Sequence, residues 1–373
     1  MNKCPCCEEE NLQLYLTRND VPCFLNIKYK DKEQALSATC GNLKLKICHK
    51  CGMVHNDDFN NEMVQYNQEY ENSQNYSLTF QKYLKEIVDI ISVDYGVKQG
   101  KIVEVGCGDG YFLSLLANKT QSIGIGFDKA HVHQPDEDIN DNIKIYNEYY
   151  DVNNAEDNVD LLVCRHVIEH VQDPYNFLLR IRETLIKSKN ALVYFETPRL
   201  EWIVENNAFY DFFYEHCNYF TESSLSILFD RAGFDILELK SVFKGQYQCV
   251  FARLKNEDLN VHKEYKNNFM LSLPPSYFNL SEKMRKYHNV AIWGAGAKGV
   301  ALANMIDVKC VIDINPKKQG CFVPKCGVEI LSPKECLRKH NIDCILVMNP
   351  NYYDEVKSIV DKCNNKIEIL NVV

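Results

Sequence analysis

The sequence has no apolar stretch long enough to cross a membrane and no apolar segment at its start. A membrane-spanning helix needs roughly 18 or more uninterrupted apolar residues, and such a run occurs nowhere in the chain. The first residues, 1–10, contain a cysteine cluster and three consecutive glutamates where a secretory signal peptide would have its apolar region. We therefore expect a cytoplasmic protein without a membrane span.

Basic residues are too few for a typical nucleic-acid-binding protein. The 373 residues include 42 Lys and Arg against 51 Asp and Glu, which gives a formal net charge of −9. Proteins that bind DNA or RNA usually present a basic face to the phosphates, so nucleic acid is not an expected partner. Disordered and fibrous proteins are also excluded, because 46% of the residues are apolar and 25% are charged, as in ordinary globular proteins.

The pattern along the chain predicts an α/β protein of several domains. Short apolar runs alternate with helical segments over residues 101–255, as a doubly wound sheet requires. Apolar residues at helical spacing between Phe80 and Ile91 predict an amphipathic helix before it. The predicted parts are a cysteine-rich domain, a helical linker, the doubly wound domain, a second linker and a smaller C-terminal α/β domain, over residues 1–60, 61–100, 101–255, 256–288 and 289–373.

Seventeen cysteines are many for a chain of the reducing cytoplasm, where disulfides are rare. Four of them form two C-x2-C pairs, Cys4 with Cys7 and Cys48 with Cys51, with 40 residues between the pairs. Two such pairs can place four thiolates at the corners of a tetrahedron, the geometry that Zn²⁺ prefers. We predict a structural Zn²⁺ on these four residues, with a redox role or nucleic-acid contact as the alternatives. Candidates that fit the spacing less well are Cys6, Cys23, Cys40 and His49.

A glycine-rich turn follows the predicted strand at residues 101–105. Its glycines stand at alternate positions, which lets the backbone pass close to a bound ligand. Glu104 lies two residues before the first glycine, and a second predicted strand ends at Asp128. A carboxylate at that place can accept hydrogen bonds from both hydroxyls of a ribose. The turn itself reads Gly106-Cys107-Gly108-Asp109-Gly110.

This combination of turn and acids resembles motif I of the class I S-adenosylmethionine (SAM) methyltransferases. The resemblance implies that the glycine loop faces the methionine part of SAM and that Asp128 holds the ribose. An interaction scaffold with an inactive SAM site is a further alternative, which the intact loop and Asp128 disfavour. The residues expected to bind the cofactor are Glu104, Gly106, Cys107, Gly108, Asp109, Gly110, Asp128, Arg165 and His166.

The residues after the predicted strand at 158–164 carry several ionisable side chains. Many methyltransferases have a similar E-H-V-x-D-P sequence there, here residues 169–174. The resemblance implies that these residues cap the cofactor pocket and that His170 faces the substrate. His166-x-x-Glu169-His170 also matches the H-x-x-E-H pattern of zinc proteases, with both histidines on one helical face. The position after a buried strand in a methyltransferase-like frame favours the first interpretation.

Glu215 and His216 lie within an aromatic run, residues 209–220, that would exclude water. Such a setting shifts proton affinities in the way that general acid–base catalysis requires. The residue types fit a buried pair that only braces the fold equally well.

The E-H-x-x-Y-F sequence at 215–220, followed by residues 231–234, resembles the sugar C-methyltransferases. Further matches at 293–299, 311–316 and 349–353 extend the resemblance over almost the whole chain. It implies a class I SAM-methyltransferase domain, a small N-terminal zinc-binding domain and a C-terminal half-Rossmann domain. The linker at 61–100 then carries the substrate-entrance segment.

The family methylates the carbon next to a keto group on a nucleotide-linked deoxysugar, through an enolate. The resemblance implies that Glu215 and His216 act in the acid–base step, supported by His170 and Tyr219. It also implies that a tyrosine of the linker lines the entrance to the site. The two candidates for that position are Tyr70 and Tyr76.

Two departures from the family pattern bear on the substrate. Phe213 stands where the family has a tyrosine, and residues 244–248 replace its H-G-G-S-x-R strand. Both changes alter the predicted sugar pocket. Methylation of a sugar hydroxyl, with His216 as the base, is therefore the alternative reaction.

A second glycine loop, residues 294–299, follows another predicted strand, and Asp313 ends the next one. The G-x-G-x-x-G spacing is typical of dinucleotide-binding sites, so an NAD-dependent oxidoreductase is the alternative from a different class. Lys298 within the loop and the 85 residues from Asn289 onward, half a Rossmann fold, argue against it. Contact with the substrate's nucleotide and a structural remnant are the other interpretations of this loop.

Overall fold

The computed structural model describes residues 3–64, 69–131, 142–255, 278–363 and 367–373. Ten α-helices lie in these ranges: α1 (Lys32–Leu36), α2 (Leu78–Asp89), α3 (Tyr111–Thr120), α4 (Pro174–Thr184), α5 (Leu200–Glu205), α6 (Glu222–Arg231), α7 (Phe278–Met284), α8 (Ala297–Ala303), α9 (Pro333–Lys339) and α10 (Tyr353–Cys363). The same ranges contain sixteen strands: β1 (Leu12–Pro22), β2 (Cys40–Cys48), β3 (Val54–Asn56), β4 (Lys101–Val105), β5 (Ile123–Phe127), β6 (Ile143–Tyr146), β7 (Leu161–Arg165), β8 (Leu192–Pro198), β9 (Asn218–Tyr219), β10 (Phe234–Val242), β11 (Tyr247–Leu254), β12 (Val290–Trp293), β13 (Cys310–Ile312), β14 (Ile330–Leu331), β15 (Cys344–Val347) and β16 (Glu368–Asn371).

The central sheet has seven strands in the order β10-β11-β8-β7-β4-β5-β6. The five strands β4 to β8 are mutually parallel, and β11 is antiparallel to both of its neighbours. The parallel strands are almost continuously apolar because helices cover both faces of such a sheet. The chain order reverses at β4, which lies between β5 and β7. A ligand site is expected at the carboxyl ends of the strands at this reversal.

Helix α2 covers one face of the central sheet. Ser77 caps it by accepting a hydrogen bond from the backbone N–H of Phe80 at 3.2 Å. The helix buries the side chains that the apolar spacing predicts, and a π-helical turn at Ile90–Asp94 continues it. Its residues form one core with strands of the central sheet, including Val163, Tyr194 and Phe251.

The N-terminal sheet has the order β1-β2-β3-β9. Three of its strands come from the first 60 residues, but β9 follows Glu215 and His216 directly. Val54 pairs with Tyr219 and His55 pairs with Asn218. The N-terminal domain is therefore built onto the strand next to the predicted catalytic pair.

The C-terminal sheet is parallel, with the order β14-β13-β12-β15-β16. All five strands lie within residues 289–373, the range predicted as a half-Rossmann domain, with β13 and β14 on one side of β12 and β15 and β16 on the other. Its apolar residues share a core with β1, β2 and residues 200–213. The C-terminal domain therefore packs on the same aromatic segment that precedes Glu215.

Among the helices of the described ranges, none is both long and apolar enough to span a bilayer. The sulfurs of Cys310 and Cys336 lie next to each other, a contact that the sequence does not predict. The predicted linker at 256–288 lies mostly outside the described residues.

Candidate active site

The first glycine loop connects β4 to α3 at the reversal point of the central sheet. Gly106 has φ of +72° and a Cβ there would overlap Val167, so only glycine fits without a shift. Gly108 has φ of +57°, and a Cβ at this position would meet nothing within 4 Å. The loop thus presents bare backbone to open space at the place where a ligand is expected. The predicted loop residue Cys107 is instead buried against Gly126.

Two acids flank this loop, as the sequence predicts. Asp128 Oδ2 accepts a hydrogen bond from Gly108 N, and its Oδ1 accepts one from Ala130 N, both at 2.8 Å. A carboxylate oxygen has two lone pairs, so both oxygens retain a free position for ribose hydroxyls. Glu104 is 2% exposed, and its Oε2 has no hydrogen-bond partner among the described residues. Burial raises the pKa of Glu104 to about 8. An orphaned buried acid beside an open glycine loop fits a cationic, ribose-containing ligand such as SAM.

A third acid, Asp109, lies within the glycine loop and accepts hydrogen bonds from the linker. Its Oδ2 accepts hydrogen bonds from Asn75 Nδ2 at 3.1 Å and from Ser73 Oγ at 3.4 Å. Its Oδ1 accepts the backbone N–H of Tyr111 at 3.1 Å, at the start of α3. The linker segment at 69–77 is thereby held over the glycine loop.

Arg165 and His166, at the end of β7, converge on the buried carboxylate of Glu196 on β8. Arg165 donates to it at 3.1 and 3.3 Å, His166 Nε2 donates at 2.9 Å and Tyr194 Oη donates at 2.5 Å. His166 Nδ1 also lies 3.4 Å from Glu169 Oε1. The structure thus places both predicted cofactor ligands in a buried ion network.

The His166 segment is not helical, in contrast to the arrangement that the H-x-x-E-H pattern would require. His166 has φ of +53°, and residues 168–170 form a single 3-10 turn. His166 and His170 therefore do not lie on one helical face. The first interpretation of this segment, as part of a methyltransferase pocket, fits the geometry better.

His166 provides a pH-dependent contribution to stability that can be measured. Burial alone would lower its pKa, but the ion pairs with Glu169 and Glu196 raise it to about 9. A folded-state pKa above the unfolded value stabilises the protein below the unfolded pKa, about 6.5, and this stabilisation disappears as pH rises through the folded value. We expect His166→Gln to lower the free energy of unfolding at pH 6 by on the order of 2 kcal/mol and by far less at pH 10.

Urea unfolding at the two pH values measures this difference. The matched control is His288→Gln, since His288 is exposed on the C-terminal domain. A loss of stability that is equal at both pH values would show that His166 is not held in its charged form.

Glu215 is buried and both of its oxygens accept short hydrogen bonds. Leu25 N donates to Oε1 at 2.5 Å and Tyr70 Oη donates to Oε2 at 2.6 Å. Burial raises the pKa of Glu215 above its usual range, although His170, these donors and Lys318 oppose the shift. Of the two predicted entrance tyrosines, Tyr70 therefore contacts the catalytic pair. Tyr76 lies in a turn before α2 and is 41% exposed.

His216 lies beside His170 in the centre of this site. Their rings pack edge to face with centroids 4.6 Å apart, and polar atoms of Glu169, His170 and His216 lie within 4.8 Å of one another. Burial lowers the pKa of His216 well below its usual value, and the nearby His170, His166 and Lys298 lower it further. The imidazole is therefore neutral at pH 7 and has a lone pair available to accept a proton.

Tyr219, which is predicted to support the acid–base step, bonds to the backbone through its hydroxyl. Its hydroxyl donates to Phe213 O at 3.0 Å and accepts from Phe213 N at 2.9 Å. Its ring centroid is 6.0 Å from that of His216. The hydroxyl is thus committed to the backbone before the Glu215–His216 pair, which it holds in place.

Two domain families match the sequence. Residues 76–239 match the methyltransferase domain, and residues 253–367 match the C-methyltransferase C-terminal domain. The chain belongs to the SAM-dependent C-methyltransferases. The seven-stranded sheet of this C-methyltransferase, with its reversal at β4 and antiparallel β11, is the class I methyltransferase fold that the first glycine loop predicts.

Solved structures show a more distant similarity. The 1,6-didemethyltoxoflavin-N1-methyltransferase of Burkholderia thailandensis, solved with S-adenosylhomocysteine, is 15% identical over 47% of this chain and 79% of its own, with a TM-score of 0.37. The magnesium protoporphyrin IX methyltransferase of Synechocystis PCC 6803, also with S-adenosylhomocysteine, is 13% identical over 48% and 84%, with a TM-score of 0.37. These values carry no information about the substrate. No curated protein matches the chain at a significant level.

The four predicted cysteine ligands of the C-methyltransferase come together. Their sulfurs lie within 4.8 Å of one another, with Cys4 Sγ and Cys51 Sγ 3.6 Å apart and Cys7 Sγ and Cys48 Sγ also 3.6 Å apart. Tetrahedral Zn–S bonds of about 2.3 Å place the sulfurs about 3.8 Å apart. The cluster therefore fits a tetrahedral metal ion. Cys6, which the spacing also allows, points away and its Sγ lies 3.2 Å from Ser224 O.

The second glycine loop contacts the segment that precedes the catalytic pair through Lys298, and a Cβ at Gly294 or Gly296 would meet nothing within 4 Å. Lys298 pairs with Asp211 and its Nζ lies 4.7 Å from the ring of Trp202. Asp313 Oδ2 accepts the backbone N–H of Ala295 at 2.6 Å. NAD binding at this loop stays a prediction, as does contact with the nucleotide of a substrate.

The residues at 244–248, which depart from the family pattern, contact the residues at 349–353, which match it. Asn349 Nδ2 donates to Gln246 Oε1 at 2.6 Å, and Asn351 Nδ2 donates to Phe243 O at 2.9 Å. Residues 349–353 thus dock the C-terminal domain on the turn between β10 and β11. The altered residues at 244–248 take part in this docking.

Sequence reasoning missed several residues that shape the site. Glu196 interrupts the apolar run of β8, and a lone carboxylate in a buried strand is a signal that could have identified it. Arg18 donates to Phe212 O and Phe209 O, both at 3.2 Å, and braces the aromatic segment. Arg18, Asn26 and Lys318 come from distant parts of the chain, and no local pattern marks them.

Proposed function

We propose that this enzyme methylates a carbon atom next to the keto group of a nucleotide-linked sugar, as the resemblance to the sugar C-methyltransferases implies. The observation that supports the proposal is the position of the linker at 69–77. Its Tyr70 donates to Glu215, next to His216 and His170, while Ser73 and Asn75 of the same segment donate to Asp109 of the glycine loop. The match to a C-methyltransferase C-terminal domain favours carbon over oxygen as the acceptor.

Glu104, Asp128 and the glycine loop would hold SAM, which when bound supplies an electrophilic methyl group. His216 is neutral and removes the proton from the carbon beside the ketone. The electron pair left behind forms an enolate, whose charge develops on the ketone oxygen. We assign the Tyr70 hydroxyl, which donates to Glu215 at 2.6 Å, to the stabilisation of that oxygen by a hydrogen bond. The buried aromatic segment around the pair keeps water away from the enolate.

We further propose that Cys4, Cys7, Cys48 and Cys51 hold a structural Zn²⁺ and that the enzyme acts in the cytoplasm. Four thiolates fill the coordination sphere of Zn²⁺ and leave no open position for substrate. The ion then stabilises the N-terminal sheet and takes no part in the chemistry.

Hydrogen exchange at the substrate carbon tests the proposed reaction. Enzyme saturated with S-adenosylhomocysteine is incubated with keto-sugar nucleotides in D2O, and the hydrogens beside the ketone are followed by NMR. Carbon methylation through an enolate predicts deuterium wash-in, whereas methylation of a hydroxyl predicts none. Calorimetric titrations with S-adenosylhomocysteine and NAD accompany it, and binding of NAD alone would overturn the proposal.

Asp128 should contribute directly to cofactor affinity. Loss of hydrogen bonds to a charged partner lowers the affinity by roughly a factor of 10 to 100. We therefore expect Asp128→Ala to raise the dissociation constant of S-adenosylhomocysteine by that factor. Calorimetry measures the dissociation constant, with exposed Asp307→Ala as the matched control. An unchanged constant in Asp128→Ala would remove this residue from the cofactor site.

A further inference from the structure

Lys318 carries a buried ammonium group that the proposed reaction does not use. Its residue is 5% exposed, and Nζ donates to Ala295 O at 2.8 Å and to Asn26 Oδ1 at 3.2 Å. Within the described part of the chain no carboxylate lies at ion-pair distance from it. Burying a cation without a directly paired anion costs free energy. A group retained at such a cost points to a role beyond packing.

The hydrogen bonds of Lys318 continue to the catalytic pair. Asn26 accepts from Lys318 and its Nδ2 donates to Tyr70 Oη at 3.4 Å. Tyr70 donates in turn to Glu215 Oε2 at 2.6 Å. Every donor in this series points toward Glu215. The series therefore runs from a cation of the C-terminal domain to a carboxylate of the methyltransferase domain.

Such an arrangement has a physical consequence for the last two groups. Hydrogen bonds in series polarise one another in a low-dielectric interior, so the ammonium group strengthens the bond from Tyr70 to Glu215. Asn26 is 8% exposed and Glu215 is 1% exposed, so water screens these two groups weakly, whereas Tyr70 between them is half-buried. The amide of Asn26 also fixes the direction in which the Tyr70 hydroxyl points.

We propose that Lys318 is a positioning residue by which the C-terminal domain sets the orientation and charge of Tyr70 and Glu215. The proposal rests on the proposed function, because it assigns these two groups to the proton step. It gives the C-terminal domain a part in the active site that needs no nucleotide at its glycine loop.

The charge of Glu215 responds to groups from four parts of the chain. His170 faces it from the 3-10 turn, Tyr70 from the linker, the Leu25 N–H from the loop after β1, and Lys318 from the loop after β13. All four favour the carboxylate and oppose the effect of burial. Removal of one of them should therefore raise the pH at which Glu215 takes up a proton.

The experiment measures this titration in the full chain without substrate. The protein is labelled with ¹³C at the glutamate side-chain carboxyl, and the signal of Glu215 is assigned by its loss in Glu215→Gln. We expect Lys318→Met to move the titration midpoint upward by about one pH unit, the size of effect that a nearby opposite charge has. Asn26→Leu should move it in the same direction, because it breaks the series in the middle.

Lys317→Met is the matched control. Lys317 loses the same charge from the same loop, but its side chain is 51% exposed and pairs with Glu71 at 3.5 Å. In Lys317→Met the titration midpoint of Glu215 should not change. The dissociation constant of S-adenosylhomocysteine should stay within a few-fold of its original value in Lys318→Met, Asn26→Leu and Lys317→Met. If Lys318→Met does not fold, Asn26→Leu alone decides.

The outcomes separate the alternatives. An unchanged midpoint of Glu215 in both Lys318→Met and Asn26→Leu would overturn the proposal. A shift in Lys318→Met alone would show that the charge acts through space, and it would overturn the role of the hydrogen bonds through Asn26. A shift in both variants with no deuterium wash-in for any keto sugar would retain the positioning role and refute the proposed substrate. Where wash-in is seen, its rate should fall at least roughly tenfold in both variants with little change in KM.

Discussion

His216→Ala is expected to reduce methyl transfer by about 10²- to 10⁴-fold, the contribution of a positioned general base, while S-adenosylhomocysteine still binds within a few-fold. The imidazole is neutral because burial, together with the neighbouring His170, His166 and Lys298, lowers its pKa. It lies beside His170, and among the described residues no ring contact or hydrogen bond joins it to the glycine loop that would hold the cofactor. Its loss should therefore change kcat and leave the cofactor site intact.

Two measurements check this expectation, and one control accompanies them. Deuterium wash-in reports the proton step and calorimetry reports cofactor affinity. His288→Ala makes the same change at an exposed position and should leave both unaltered. A His216→Ala variant that retains wash-in would assign the base to another residue, with His170 the next candidate by position. Equal losses of wash-in and of cofactor affinity would instead indicate that His216 supports the fold.

The central sheet and its glycine loop were predictable because they follow from local patterns. Alternating apolar runs mark the parallel strands, and the spacing of Gly106, Gly108 and Asp128 follows from one strand–turn–helix unit. The same holds for the cysteine pairs, since each pair is a local turn, and the structure brings their four sulfurs within 4.8 Å of one another. Helix α2 was predictable from the spacing of its buried face.

The surroundings of the catalytic pair were not predictable, since they come from tertiary contacts. Nothing near Lys318 in the sequence indicates that it reaches Tyr70 through Asn26. The side-chain partner of Arg165 and His166 was not predictable for a related reason. Their position after a strand predicts cofactor contact, which stays a prediction, and the carboxylate that holds both side chains is Glu196 on a neighbouring strand. Register between β7 and β8 determines this contact, and the sequence alone does not give that register.

Removal of the metal from the cysteine cluster is expected to unfold the N-terminal domain and to abolish activity as well. Structural zinc sites contribute on the order of 10 kcal/mol of apparent free energy, comparable to the whole stability of a typical domain, about 5–15 kcal/mol. We expect Cys48→Ser to lose one Zn²⁺ per chain, as measured by elemental analysis. Thermal unfolding should show a separate transition at lower temperature.

The effect on activity follows from the contacts of the cluster. Thr221 Oγ1 donates to Cys51 O at 3.2 Å, and β3 pairs with β9, which begins two residues after His216. Loss of the metal therefore releases the strand that fixes His216. Cys40→Ser is the matched control, because Cys40 lies at the other end of β2 and outside the cluster. If Cys48→Ser lost its metal but kept full wash-in activity, the N-terminal sheet would not be needed to hold the catalytic pair.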